Sequence, residues 1–233
     1  MERVVLKLSG QALSSDGRGI DVKKIDEVVK EVIALKNKGY QIGIVCGAGN
    51  FWRGRDAEGM SRVSADNIGM LGTVMNALAL QESLIRQGQK AIVFSAISMP
   101  QVAQTFSATT CNEYLDNGYI ALFAGGTGNP YFSTDTCAAL RAGQIGAHKI
   151  LMAKTGVDGV YDDDPRKNPK AKRFSKLTYD EVLKRNLGVM DLTAAILCQD
   201  NDIKTVVFDM NVKGNITKIV ENENIGTIVE KGE

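Results

Sequence analysis

Along this chain, short apolar runs alternate with longer stretches in which apolar positions recur every three or four residues, the pattern of buried strands separated by amphipathic helices. Residues 4–8 read as a strand. Asp21 then opens an amphipathic run to Lys38, with Val22, Ile25, Val29 and Val32 on one helical face, and Gly39 closes it. Residues 40–46 form the next strand. A helical pattern over about 70–87 ends at Gly88 and leads to a strand at 90–95, while 119–124 and 149–153 read as two further buried strands. Ser133 or Thr134 caps a helix over 135–146. Thr178-Tyr179-Asp180-Glu181 fits a capping box for a helix to about Asn186. A helix at 191–200, a strand at 205–208, a helix near 215–221 and a strand at 227–230 complete the order. Alternation of this kind predicts an α/β fold, with a mainly parallel sheet covered by helices on both faces. The stretch 155–175 breaks the rhythm: it is polar, rich in Asp, Lys and Pro, and long for a plain connection. It is expected to fold over a ligand or to project as a small hairpin.

Composition narrows the function more than the fold. With 233 residues, 44% apolar and 24% charged, the chain reads as one domain with two lobes. Lys and Arg number 28 against 27 acids, so any anion site is local and direct nucleic-acid binding is not expected. Cys46, Cys111, Cys137 and Cys198 form no CxxC pair, and His148 is the only histidine, which disfavours zinc and redox dithiol chemistry. The cysteines read as reduced, buried small hydrophobes, and a metal, if used, is a hard cation held by oxygens without direct protein ligands. The start MERVVLKLSG lacks an apolar signal region, and no run approaches the ~18 apolar residues of a membrane span, so a cytoplasmic protein is expected.

In open α/β sheets ligands sit beyond the carboxyl ends of the strands. Three of those ends carry glycines: Lys7-Leu8-Ser9-Gly10, Gly47-Ala48-Gly49-Asn50, and Gly125-Gly126-Thr127-Gly128-Asn129-Pro130. Glycine lets backbone N–H groups approach an anion, and a following helix adds the positive end of its dipole. Any one of these is more often a plain tight turn; three at one sheet edge point to phosphate. Phe51-Trp52-Arg53-Gly54 follows the second loop, and Arg53 is either a planar phosphate fork or a solvated surface arginine. Neither GxxxxGK[ST] nor GxGxxG occurs, which disfavours Walker-type and dinucleotide-binding sites.

The strand-borne KLSG, the glycine loop ending in Asn-x-x-Arg-Gly, the stretch GTGNPYFSTD and the later TGVDGVYDDDP resemble the amino acid kinase family, as do residues 62–76 and 189–194. Within it the pattern is most similar to members that phosphorylate UMP. The resemblance implies a three-layer αβα sandwich in which a lobe over about 1–150 carries the phosphate acceptor and one over about 151–233 carries ATP. It implies catalytic roles for Lys7, Arg53 and Asp135, with Lys7, Leu8, Ser9, Gly10, Gly49 and Arg53 on the ATP phosphates. Thr155, Tyr161 and Asp164 would seat the adenine nucleoside. Ala48 and Asp66 would contact UMP, Asp66 at the ribose, while Thr127, Gly128, Asn129, Pro130, Tyr131, Phe132, Ser133 and Thr134 would line the uridine and acceptor-phosphate pocket. Ser15, Asp16, Gly17, Arg18 and Gly19 align with a loop that senses GTP as activator. UTP inhibition and a homohexamer built as a trimer of dimers are implied as well. Three departures stand out: Ala48 replaces the middle of a usual triple glycine, Gln11 replaces a usual Glu, and the 15–19 loop is one residue short of some relatives. The last bears on the effector response, not on the chemistry.

A phosphate acceptor is already ionised near neutral pH, so the implied reaction needs no general base, in keeping with a single histidine. The obstacle is electrostatic. Two like unit charges ~4 Å apart repel by about 4 kcal/mol at an effective dielectric of about 20, which Mg²⁺ on ATP, Lys7 and Arg53 would offset. Asp135 would orient Lys7 or Mg²⁺ waters, or else is a helix N-terminal acid favoured by the dipole. Two rivals remain at this level: a sibling kinase acting on a carboxylate, carbamate or isoprenoid phosphate, and a nucleotide-binding member without turnover.

Overall fold

The computed structural model describes residues 1–53 and 58–232. Gly54, the last residue of the Asn-x-x-Arg-Gly motif, lies outside the described residues. Among those described, nine strands join in one sheet of order β4-β3-β5-β2-β1-β6-β8-β9-β7. These are β1 (Arg3–Leu8), β2 (Gln41–Cys46), β3 (Ala91–Ser95), β4 (Gln104–Thr105), β5 (Ile120–Ala124), β6 (Lys149–Lys154), β7 (Lys176–Thr178), β8 (Lys204–Asp209) and β9 (Thr227–Glu230). The helices are α1 (Val22–Asn37), α2 (Arg62–Arg86), α3 (Ala108–Asp116), α4 (Thr134–Ile145), α5 (Tyr179–Lys184), α6 (Leu192–Asp200) and α7 (Asn215–Lys218). Every pairing is parallel except β8 with β9.

The expected α/β architecture holds, because each strand of the sheet centre is buried on both faces. Along β1, Val4, Leu6 and Leu8 pack with Ile25, Val29 and Val32 of α1 and Leu80 and Leu84 of α2. Val5 joins Ala138 and Ala142 of α4 and Cys198 of α6 on the other face. Each fully buried Leu, Ile or Val contributes roughly 1.5–3 kcal/mol. Strand alternation therefore aims Lys7, two residues after Val5, at the α4 face. β1 is flanked by β2 and β6, with the rest of the chain spreading outward on both sides, which makes the carboxyl ends of these strands a topological switch point.

Departures from the sequence reading have local causes. Val22 is 59% exposed because it is the first residue of α1; the buried seam is Ile25, Val28, Val29, Val32 and Leu35. α2 begins at Arg62, capped by Ser61, several residues before its apolar periodicity starts, since its first turns carry polar residues toward a cavity. The short β4, α3 and β7 carry too little periodic pattern to be read. The 155–175 stretch is a projecting hairpin: Tyr161 bridges Arg173 in antiparallel fashion, and Phe174 N donates to Val160 O at 2.8 Å. Arg173 pins its base by donating to Asp158 Oδ2 at 2.8 Å and Ile225 O at 3.0 Å. The capping box at Thr178 and Glu181 is present in full.

Candidate active site

Ser133 caps α4, its hydroxyl accepting from Asp135 N at 2.9 Å and Thr136 N at 3.1 Å. Of the two residues named as caps, Ser133 does the work and Thr134 is the first helical residue. The first turn of α4 thereby holds Asp135 Oδ1 2.9 Å from Lys7 Nζ, with both side chains largely buried. The contact is one of charge. Among the described residues, no donor meets Asp135 Oδ1 in hydrogen-bond geometry.

Two cavities meet at the Lys7 member of this pair. One of about 550 Å³ is lined by Lys7, Ser9, Ala48, Asp66, Phe132 and Asp135. The other, of about 660 Å³, is lined by Lys7, Ser9, Lys154, Thr155, Tyr161 and Asp164. Lys7 and Ser9 are thus on both walls, as a group handed from one compartment to the other requires. Leu8, Gly10, Gly49 and Arg53, read as ATP-phosphate contacts, lie on the first wall and not on the second.

The glycine loop after β2 is held from below by buried amides. Asn76 of α2 donates to Gly47 O at 2.8 Å, and Asn76 and Asn50 exchange amide hydrogen bonds at 2.8 and 2.9 Å. Trp52 Nε1 donates to Ala65 O at 2.9 Å, fixing the chain just before Arg53. Gly10 has no alternative: a Cβ there would lie 2.3 Å from Asn50 Oδ1 and 2.4 Å from Gly47 O. The Ala48 departure is accommodated by Gly72 of α2, where a Cβ would come within 2.8 Å of the Ala48 methyl.

Asp66 accepts from Arg62 Nε and from Tyr131 N, both at 2.7 Å and both on Oδ2. It therefore anchors the loop entering α4 while lining the first cavity. Asn129, Phe132, Ser133 and Thr134 share that wall, whereas Thr127, Gly128, Pro130 and Tyr131 do not. Tyr131 is 66% exposed with its backbone left-handed at φ 73°, and the Thr127 hydroxyl accepts from Asn129 N at 3.2 Å. Half of the loop thus shapes the cavity without touching it. Cys46 also lines this cavity, but burial pushes its thiol up to about 12, so it is no nucleophile.

Sequence reasoning missed Lys154, on the second wall, and Asp191, which lies behind the site between α4 and α6. Lys154 ends β6, donates to Val189 O at 2.7 Å, and has its pKa lowered by burial against the opposing pull of Asp135. Its signal was position, since strand ends carry the site. Asp191 caps α6 and also accepts from Thr136 Oγ1 at 2.8 Å and from Ser133 Oγ, tying α4 to α6. Burial pushes the Asp191 carboxyl up, but those hydrogen bonds outweigh it and hold its pKa below the usual range.

Asp16, Gly17 and Arg18 line a third cavity of about 610 Å³ together with Arg53, while Ser15 and Gly19 are off its wall. Gly19 N donates to Asn50 O at 2.9 Å, so this loop abuts the glycine loop directly.

Known proteins share this chain's sequence and fold over nearly its whole length. The chain is 51% identical to a uridylate kinase of Streptococcus thermophilus, over 98% of this chain and 94% of that one. It is also 51% identical to a uridylate kinase of Oenococcus oeni, over 98% and 96%. The crystal structure of UMP kinase from Ureaplasma parvum superposes with a TM-score of 0.94 at 41% identity, covering 99% of each chain. That of UMP kinase from Bacillus anthracis gives 0.96 at 37% identity, covering 100% and 97%. The model of the amino acid kinase family matches residues 2–209, which contain KLSG, all three glycine loops and the Lys7–Asp135 pair, and the chain belongs to that family.

Proposed function

We propose that the chain is a UMP kinase: it transfers the γ-phosphoryl group of ATP to UMP, reversibly, giving ADP and UDP for pyrimidine nucleotide synthesis. The observation that carries this reading is the pair of cavities that share Lys7 and Ser9, with Asp135 beside Lys7. UMP occupies the first cavity, within the 1–150 lobe, and ATP the second, within the 151–233 lobe. Lys7 lies where the transferring group passes. Arg53 and the glycine-loop N–H groups neutralise the acceptor side, and Lys154 adds positive charge on the donor side. Asp135, a hard oxygen group beside Lys7, would orient the waters of a Mg²⁺ ion bound with ATP, which would supply further neutralisation of phosphate charge. Uracil presents an N3–H donor between two carbonyls, to be matched by the loop around Asn129. Cytosine would leave polar groups of that loop unpaired.

The third cavity, between the 15–19 loop and Arg53, is suited to an anionic effector, GTP as activator or UTP as inhibitor, because Arg18 and Arg53 both face it. Self-association has support from α2. Ile68, Leu71 and Met75 are exposed at spacings that place them on one helical face, and a second copy of the chain would cover them. Among the described residues this is the one helix long and apolar enough to cross a membrane, yet half of its apolar window is buried inside the protein. A cytoplasmic homohexamer assembled through such dimers fits these observations.

The test is a coupled assay of ADP release with MgATP and each of UMP, CMP, AMP and GMP, beside folded Lys7→Ala and Arg53→Ala variants. Turnover with UMP alone, lost in both variants, is the expected result. Tight binding of both nucleotides without UDP formation would overturn the kinase reading.

A further inference from the structure

Arg141 lies in α4, six residues after Asp135, and only 4% of it is exposed. Among the described residues no carboxylate pairs with it. Its Nη1 donates to Gln144 Oε1 at 2.6 Å and its Nη2 to Gly126 O at 3.2 Å, while Nε is buried without a hydrogen-bond partner. The guanidinium carbon stands 3.9 Å from the Phe106 ring centroid and 5.9 Å from that of Phe123. The ring stack and the two hydrogen bonds offset part of the cost of burying a cation without a carboxylate, but filling this space does not itself call for a charge. Core packing alone therefore does not account for an arginine here.

What the cation touches offers an account. Gly126 follows β5 in the loop that leads to α4, and Gly125, Gly126 and Gly128 are all left-handed, at φ 73°, 58° and 85°. Glycines have little preference among such shapes, so the shape must be set by contacts. Gly125 N donates to Thr73 Oγ1 of α2 at 2.9 Å, and the next carbonyl accepts from Arg141. Two side chains, one from each flanking helix, thus grip successive positions of one turn. Thr73, Phe123 and Gly126 all line the first cavity. The Phe106 ring beneath the guanidinium sets its height, itself fixed by Phe106 N donating to Ser95 O at 2.9 Å and by an edge contact to Phe123.

We propose that Arg141 is a positioning residue for the acceptor nucleoside: by holding the Gly126 carbonyl it sets the 125–129 turn, and with it the polar groups that meet the base. This rests on the assignment of the first cavity to UMP. Arg141 acts on that compartment and leaves the ATP compartment untouched, since none of its contacts lies on the second cavity.

The experiment uses the full-length protein and its Arg141→Met and Arg141→Lys variants, read by thermal melting, steady-state kinetics and calorimetric titration with UMP and with ATP. Arg141→Met should remain folded, its melting temperature recording the net of a removed buried charge and the lost ring stack and hydrogen bonds. In both variants KM for UMP should rise about tenfold or more and the preference for UMP over CMP should shrink, with KM for ATP unchanged. A role in packing alone would move the melting temperature and not this split. Wild-type protein that fails to bind UMP would overturn the cavity assignment and the inference together. Wild-type protein that binds UMP, beside a folded Arg141→Met variant with unaltered UMP affinity and CMP rejection, would overturn the inference alone. Should Arg141→Met not fold, Phe106→Leu removes the ring under the guanidinium, and an unchanged KM for UMP there would overturn it equally.

Discussion

The two compartments of the site are built in different ways. The first cavity, proposed for the acceptor, is walled by the sheet centre and by α2 and α4, and its loops are gripped by buried side chains: Asn76 on Gly47, Thr73 on Gly125, Arg141 on Gly126. The second cavity, proposed for the donor, is walled in large part by the 155–175 hairpin, whose acids satisfy their own backbone. Asp163, which is exposed, accepts from Asp164 N at 2.8 Å, and Asp164, which is half-buried, accepts from Arg166 N at 3.0 Å. The contrast teaches where discrimination resides. Polar groups fixed by buried partners cannot rearrange around a wrong base, whereas a hairpin tied mainly at its base adapts to its ligand at little expense.

The sharpest test of that contrast falls on the junction that both compartments share. Asp135→Asn leaves Lys7 without its charged partner and should lower kcat by about 10²–10³ or more, with far smaller changes in either KM, as measured by initial rates at saturating UMP and ATP. An effect confined to KM for one nucleotide would break the picture of a common centre.

The packing of the acceptor side predicts the next largest effect. Gly72→Ala drives a methyl to 2.8 Å from Ala48 and should destabilise the protein by roughly 1–3 kcal/mol. Ala48→Gly in the same chain should restore most of it, giving a coupling on the order of 1 kcal/mol in a denaturation cycle. Additive effects would show the wall to be soft.

On the donor side, the consequence is a pH limb. Burial lowers the Lys154 pKa below the 10.5 of an exposed lysine, so its charge is lost at lower pH in the folded protein. Activity that depends on this charge falls as pH rises through the folded pKa. The destabilisation from burying the charge, present in full at neutral pH, is relieved over the same window. A rate profile should therefore show an alkaline limb that Lys154→Arg moves upward, and an unmoved limb would remove Lys154 from the donor side.

Much of the fold was legible because it rests on local chemistry. Apolar runs at the sheet centre, the caps Asp21 and Thr178, and the glycines at three strand ends each announce themselves within a few residues. The KLSG stretch stood out in the same way, whereas roles for Lys7 and Asp135 came from the resemblance to the amino acid kinase family. Elements lacking a periodic pattern stayed hidden: β4 with two residues, α3, β7, and the first turns of α2, whose polar residues face a cavity.

What the sequence by itself determined is the order of most elements and the three glycine-bearing strand ends around which the first cavity is built. Tertiary structure alone decided the partnerships. Asp66 reaches Tyr131 across 65 positions, Arg3 reaches Asp116 across 113, and Asn76 and Arg141 grip loops far from them in sequence. The physical reason is that hydrophobic period and backbone propensity are properties of neighbours along the chain, whereas a buried donor is satisfied by whatever acceptor packing brings to it.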